Sequence, residues 1–249
     1  MSAGEQSQEK HYDRIADSYN AHYGDTYSQH YAHRFIYEPM FRGMSLRGAR
    51  VLDAMCGNGQ CTAYLLAQGA VVTGLDVSGE QIAAYHAKWP QALPLKKSIL
   101  DSGLEAGSFD SVAVVGGLHH VHPHVEETIE EFHRILKPGG YLSFAEPQRG
   151  SLPDLARKWW YRYDSMFEKN EAAIDLAGLK KTFARRFDYR YECYRGQLAY
   201  LLVFNSMIFR VPLRLKRFYA PPLLLMERIL TPVMPRQLCC FVVCQWQKK

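Results

Sequence analysis

Two acids and two glycines define the chemistry to look for in this chain. Asp53 closes the apolar run Val51-Leu52 and is followed by Gly57 and Gly59 in the segment VLDAMCGNGQCT, 51–62. Asp76 closes a second apolar run, VVTGLD, 23 residues after Asp53. Glycines let a backbone turn sharply and approach a ligand closely. In a doubly wound sheet, an acid at about this distance binds a ribose hydroxyl. The acid–glycine–strand–acid run therefore describes a nucleoside site. Its glycine pattern is Gly57-x-Gly59-x-x-Thr62, not the three-glycine dinucleotide fingerprint, which disfavours a nicotinamide coenzyme. A carboxylate ahead of the glycines would repel a pyrophosphate and suits an ammonium or a sulfonium. The competing role for Asp76 is to cap the helix that begins at Ser78-Gly79-Glu80.

Such a site needs strands that end at the acids and helices that start at the glycines. Apolar runs and turn residues predict strands near 50–54, 71–75, 95–98, 110–115 and 140–146, and helices near 59–68, 79–88 and 124–137. Alternating strands and helices imply a parallel sheet with right-handed crossovers. Ligands then bind beyond the carboxyl ends of the strands. FDYRYEC (187–193) reads as a sixth strand and CCFVVCQW (239–246) as a seventh. The residues between them, 194–238, are too many for a structureless loop, so a helical insertion is expected. The expected organisation is a tail and helical cap (1–45), an α/β core with substrate-side helices (46–195), a basic apolar helical insertion (196–237) and a last strand (238–249).

Together with SFDSVAVVGGLHHV (108–121) and LKPGGYL (136–142), the segments VLDAMCGNG and VVTGLDVS carry a family likeness. Over roughly residues 10–150 the chain resembles the class I S-adenosylmethionine-dependent methyltransferases, within them the type 11 small-molecule group. The resemblance implies a Rossmann-like, seven-stranded, mostly parallel sheet whose last two strands pair antiparallel at one edge. It also implies S-adenosylmethionine as cofactor and S-adenosylhomocysteine as product. Asp53 and the Gly57–Gly59 turn would face the cofactor's amino-acid end, Asp76 its ribose and Val77 its adenine, with Gly116 and Leu118 as further contacts. Tyr19, with Tyr12 and Tyr23, would belong to a lid, or would pack the cap onto the sheet. The chain departs from the family at Ser98, which stands before Ile99 where an adenine-binding Asp is usual; Asp101 is out of register.

His119 or His120 could serve as general base toward the acceptor, since imidazole titrates in the useful range. The resembling group carries the same LHH with unrelated substrates, so a structural role competes. Glu146 is a third candidate catalytic group, at the end of its strand. The leading expectation is O-methylation of a small natural-product, glycan or lipid-linked acceptor. N- or C-methylation of a soluble metabolite is the alternative. A non-catalytic protein that uses its basic tail to bind partners is the rival from another class.

Composition narrows the field further. The 249 residues are 47% hydrophobic, enough for a sizeable core. Six cysteines show neither CxxC spacing nor a secreted framework, and MSAGEQSQEK is not a signal sequence, so a reduced cytoplasmic protein is expected. No apolar stretch reaches the ~18 residues of a membrane span. His119, His120, His122 and His124 lack matching Cys or acid ligands, and no metal is expected. The absence of an Asn/Asp-Pro-Pro-Tyr tetrapeptide after 110–115 and the non-basic sheet region argue against nucleic acid. Trp159, Trp160, Tyr161, Tyr163 and Phe167 could line an acceptor pocket or simply pack.

The formal net charge of +5 is unevenly spread: residues 196–249 hold eight Lys/Arg against one acid, Glu227. Within 196–237 the cations are Arg210, Arg214, Lys216, Arg217, Arg228 and Arg236, set among Leu, Phe and Met. Such helices can lie in a membrane interface without spanning it, or contact a lipid-like acceptor. They could equally cover the sheet edge or form a homodimer contact.

Overall fold

The computed structural model describes residues 20–161 and 172–249; the side chains of Trp160 and Tyr161 also lie outside that description. Tyr12, Tyr19, Tyr163 and Phe167 therefore fall outside the described residues. Seven strands form one sheet: β1 (Arg50–Ala54), β2 (Val71–Asp76), β3 (Leu93–Lys96), β4 (Phe109–Val115), β5 (Leu136–Pro147), β6 (Phe187–Arg195) and β7 (Phe241–Lys248), in the order β3-β2-β1-β4-β5-β7-β6. β1 to β5 are parallel neighbours, while β7 runs antiparallel between β5 and β6. This is the class I methyltransferase topology.

Strands covered on both faces read as continuous apolar runs, and β1 and β4 are buried almost end to end. The side chains alternate between two cores. Val51, Phe241 and Val243 face one, with Tyr31, Met40 and Leu65; Leu52, Val242 and Cys244 face the other, with Phe132, Phe144 and Trp246. Register brings the functional strand ends together. Ala54 pairs with Leu75 and with Val114, and Val115 pairs with Ala145. Asp53, Asp76, Gly116 and Glu146 thus share one edge of the sheet, at the switch point where successive strands turn from β1 toward β4.

The amino-terminal helix, α1 (Thr26–Ala32), continues through a π-turn (His33–Tyr37) to Glu38–Met40. The other helices are α2 (Gln60–Ala67), α3 (Gly79–Lys88), α4 (Val125–Ile135), α5 (Leu152–Tyr161), α6 (Leu176–Thr182) and α7 (Lys216–Leu230). The insertion is helical as expected, with a π-turn at Tyr200–Phe204 ahead of α7. Among the described residues, no helix is long and apolar enough to cross a membrane.

Charge in the insertion is used differently from its sequence reading. Lys216 is buried, pairs with Asp25, and donates to Ser28 Oγ (2.8 Å) and the His22 carbonyl (3.1 Å). Glu227 is buried too. It accepts hydrogen bonds from Tyr31 Oη (2.8 Å) and from the backbone N–H groups of Gln197 (2.8 Å) and Ala199 (2.9 Å). Tyr23 Oη donates to Asn205 (2.8 Å). These contacts bolt the insertion to α1, because a buried charge is tolerated only with such partners.

Candidate active site

β1 delivers Asp53 to the base of a cavity of about 690 Å3. Its carboxyl accepts from Thr62 Oγ1 at 2.6 Å, and the Tyr85 hydroxyl lies 3.1 Å from the same Thr62 oxygen. Thr62, which stands where a dinucleotide site has its third glycine, supplies that hydroxyl. Burial pushes the Asp53 carboxyl up to about 7. The turn that follows contains Met55, Gly57 and Gly59, all at positive φ (55°, 53° and 83°). Gly59 cannot carry a side chain: a Cβ there would lie 2.5 Å from the Trp89 indole nitrogen. That indole N–H donates to the Asn58 carbonyl at 3.0 Å, fixing the turn.

Asp76 ends β2 on the opposite side of the turn. Gly57 N donates to its Oδ2 and Ser78 N to its Oδ1, each at 2.9 Å. A carboxylate has about four acceptor positions, so these donors leave room for a diol. Burial raises this carboxyl as well, against the lowering effect of those N–H groups. Ser78, rather than Asp76, caps α3 through Gln81 N (3.1 Å). Beside Asp76, Gln81 is only 1% exposed and lines the cavity. Neither its amide nitrogen nor its amide oxygen finds a partner among the described residues, and the same holds for Asn58 Oδ1. Buried amides are expected to be hydrogen-bonded, so this wall is built for a polar ligand.

β4 is followed by Gly116, at φ 65°, and the loop 117–120 is held from below by Glu146. Gly117 N and Leu118 N donate to Glu146 Oε1, both at 2.7 Å. His119 N (3.3 Å) and His119 Nδ1 (2.8 Å) approach Oε2. Glu146 is wholly buried, and burial pushes its carboxyl up to about 7 against those donors. In its ionised form Glu146 can only accept, so it then favours the tautomer with the imidazole proton on Nδ1 and the lone pair on Nε2. The His120 ring lies 3.8 Å from the His119 ring, centre to centre. It is close enough to Asp76 and Glu146 for its charge to favour their ionised forms.

The cavity wall brings together Asp53, Gly57, Asp76, Val77, Ile99, Gly116, His119 and His120 of the sequence-derived set. Four of the expected residues do not line the cavity. Leu118 is buried in the core with Leu75 and Ile129 and is not part of the wall. Ser98 turns its hydroxyl to Leu100 N (3.1 Å), capping a short turn, so that Ile99 alone reaches the cavity. Gly59 shapes the turn without lining the site. Glu146 acts on the loop and on His119 and has no exposure of its own to an acceptor. Trp159 points outward at 69% exposure and is absent from the wall. Met55, Asn58, Gln81 and Gly117 are wall residues that sequence reasoning missed. At the far end of the cavity the individual residues were not named from sequence: Leu201, Phe204, Met207, Ile208 and Phe209 from the insertion, with Leu152, Pro153 and Arg157 from α5. Arg157 is tied to buried Asp154 at 2.5 Å.

Residues 52–144 match the family model described as a methyltransferase domain. The chain carries a class I methyltransferase domain of type 11. Over 105 residues the domain is 37% identical to an uncharacterized methyltransferase of Synechocystis, a match covering 42% of this chain and 50% of that protein. Over 151 residues it is 32% identical to a malonyl-[acyl-carrier protein] O-methyltransferase of Enterobacter lignolyticus, covering 58% of this chain and 59% of the relative. The chain thus spans between half and three fifths of these relatives. The magnesium protoporphyrin IX methyltransferase of Synechocystis, solved with S-adenosylhomocysteine bound, shares the methyltransferase fold throughout. Its TM-score is 0.67 at 12% identity, covering 99% of this chain and all of that one. The shared domain ends at residue 144, so the methyltransferase core accounts for Asp53, Asp76 and the loop 116–120, while α5 and the insertion lie beyond it.

Proposed function

We propose that the chain is an S-adenosylmethionine-dependent methyltransferase that methylates an oxygen of a small, largely apolar acceptor. One observation carries this reading. A single cavity contains both a nucleoside-type wall, with Asp76 and the unsatisfied amides of Gln81 and Asn58, and His119, whose Nδ1 lies 2.8 Å from Glu146 Oε2. These groups fit the cofactor. Asp76 would hold the ribose diol, Val77 and Ile99 the adenine faces, and Gly57 and Gly116 the close approach of the backbone. Asp53, beneath the turn, supplies negative potential toward the amino-acid end. The cofactor, when bound, supplies an electrophilic methyl group on a sulfonium.

The protein's task is then to orient the acceptor and handle its proton. His119 Nε2 receives the hydroxyl proton, and the Glu146 carboxylate at Nδ1 stabilises the imidazolium that results. The insertion and α5 give the acceptor end Leu152, Leu201, Phe204, Ile208 and Phe209, which favours an apolar body over a sugar or free amino acid. The malonyl-[acyl-carrier protein] O-methyltransferase relative supports oxygen as the nucleophile. The test is transfer of labelled methyl from S-adenosylmethionine to a panel of apolar hydroxyl and carboxyl compounds. His119→Ala should lower kcat by about 100-fold or more on a hydroxyl acceptor while leaving S-adenosylhomocysteine affinity intact. A loss below about tenfold would return His119 to a purely loop-anchoring role.

A further inference from the structure

The insertion that walls the acceptor end of the cavity has an outer face that the methyl-transfer reading does not use. The inner side of α7 presents Lys216, Ala220 and Glu227, all buried against α1 and the segment around 197–204. Its outer side presents Phe218, Leu225 and Ile229, exposed by 67%, 58% and 64%. Spacings of seven and four residues put these three on one stripe. Leu215 before the helix and Val233 after it are exposed as well. Scattered exposed apolar side chains are ordinary, but a continuous stripe marks an interaction site.

The charge on this face has one sign. Arg214, Arg217 and Arg228 are exposed, and among the described residues no carboxylate pairs with any of them. The one acid of the insertion, Glu227, is turned inward, and so is its one lysine, Lys216. The Arg217 guanidinium lies 4.6 Å from the centre of the Phe218 ring, at the margin of the stripe. A self-complementary dimer through this face would set the arginines of one stripe against those of the other. An anionic lipid surface would meet them with phosphates and accept the apolar stripe among its acyl chains.

The acceptor cavity reaches the surface where α5 meets the turn Arg236–Leu238. Leu152 of α5 and Leu238 of the turn Arg236–Leu238 both line the cavity and are both exposed, by 57% and 42%. Next to Leu152 on α5, Leu155 and Trp159 are exposed too. α5 packs against the turn Arg236–Leu238. The rim of the cavity is therefore apolar where it meets solvent.

We propose that the outer face of the insertion docks the protein on an anionic lipid surface. Phe218, Leu225, Ile229 and Val233 enter the interface, and Arg214, Arg217 and Arg228 meet lipid phosphates. An apolar acceptor then reaches the cavity past Leu152 and Leu238 with little exposure to water. Docking itself does not rest on the methyl-transfer reading, since lipid binding is measured without cofactor or acceptor.

The experiment is co-sedimentation of the full chain with vesicles of phosphatidylcholine alone and of phosphatidylcholine with phosphatidylglycerol. Binding should rise steeply with the phosphatidylglycerol fraction and fall at about 0.5 M salt, where the screening length is only roughly 4 Å. Replacing Arg214, Arg217 and Arg228 together by Gln should weaken partitioning on the order of 100-fold, about fivefold per charge. A second variant, F218S/L225S/I229S, should lose binding while its cofactor titration stays that of wild type. Equal, weak binding to both vesicle types at low salt would overturn the proposal. So would a dimer that F218S/L225S/I229S converts to monomer without any change in vesicle binding. Intact S-adenosylhomocysteine binding alongside absent vesicle binding would overturn docking and leave the proposed activity standing.

Discussion

Glu146→Gln separates a catalytic arrangement from mere packing, and its effect can be worked out from the four donors around the carboxylate. The amide has the same shape but offers one acceptor oxygen and one NH2 group. The oxygen will stay with Gly117 N and Leu118 N, both at 2.7 Å, because abandoning them would leave two buried donors unsatisfied. The NH2 then faces His119 N and His119 Nδ1. Facing the backbone N–H costs about 1–3 kcal/mol. The imidazole avoids a second clash by moving its proton to Nε2, which removes the lone pair intended for the acceptor. An opposing gain comes from losing a buried charge. The carboxyl is raised from 4.5 to about 7, so in wild type the stability present below pH 4.5 is lost as pH rises through 7. That loss amounts to roughly 3 kcal/mol at pH 8. The variant does not titrate and escapes it. At pH 8 the two effects nearly offset, so Tm should stay close to wild type, whereas below pH 4.5 the variant should be the less stable. Nitrogen–proton correlation spectra should show His119 changing from the Nδ1–H to the Nε2–H tautomer, and kcat should fall about 100-fold or more. An unchanged tautomer with full activity would refute the role given to Glu146.

Asp53→Asn should flatten the pH dependence of stability. Asp53 is raised from 3.8 to about 7 by burial; the unfolded chain is already deprotonated at pH 5, so wild type loses stability as pH climbs through 7. Relative to wild type, the variant should gain roughly 3 kcal/mol between pH 5 and pH 8 by urea denaturation, and parallel curves would contradict this. Lys216→Met should destabilise the protein by about 3 kcal/mol, because Asp25 loses its buried cation. A change below about 0.5 kcal/mol in chemical denaturation would show that the pair does not hold α1 to the insertion.

Much of the frame was legible because its signals are local. The runs Val51-Leu52 and 71–76 gave β1 and β2, and 79–88 gave α3 to the residue, since Ser78 caps it and its apolar positions follow the helix period. The edge strand β6 and the helical insertion followed from strand patterns and loop length. The ends of β3 shifted to 93–96 because Leu93-Pro94-Leu95-Lys96 alternates weakly, with Leu93 57% exposed. Asp53 and Asp76 were legible from their spacing, and Gly116 from the family resemblance. Gln81 could not be found this way, because a glutamine on a helix reads as a solvent residue and only tertiary packing buries it. Glu146 could be located but not given its task, which depends on four donors from a loop 27 to 29 residues earlier in the chain. The cations of the insertion were counted as one surface charge. The fold instead turned Lys216 inward, where Asp25 and Ser28 wait on α1, and left Arg214, Arg217 and Arg228 outside.

The central claim is that the cavity at the ends of β1, β2 and β4 binds S-adenosylmethionine, with Asp76 on its ribose. Titration calorimetry of wild type and Asp76→Ala with S-adenosylmethionine and S-adenosylhomocysteine tests it most directly. Two charge-assisted hydrogen bonds, each worth roughly 1.5–3 kcal/mol, should vanish in the variant, although water recovers part of that loss. Wild type should bind both ligands, and Asp76→Ala should bind them about tenfold to a few hundredfold more weakly, with a melting curve showing that the variant still folds. Equal affinity in the two proteins, or no binding of either ligand by wild type, would contradict the account.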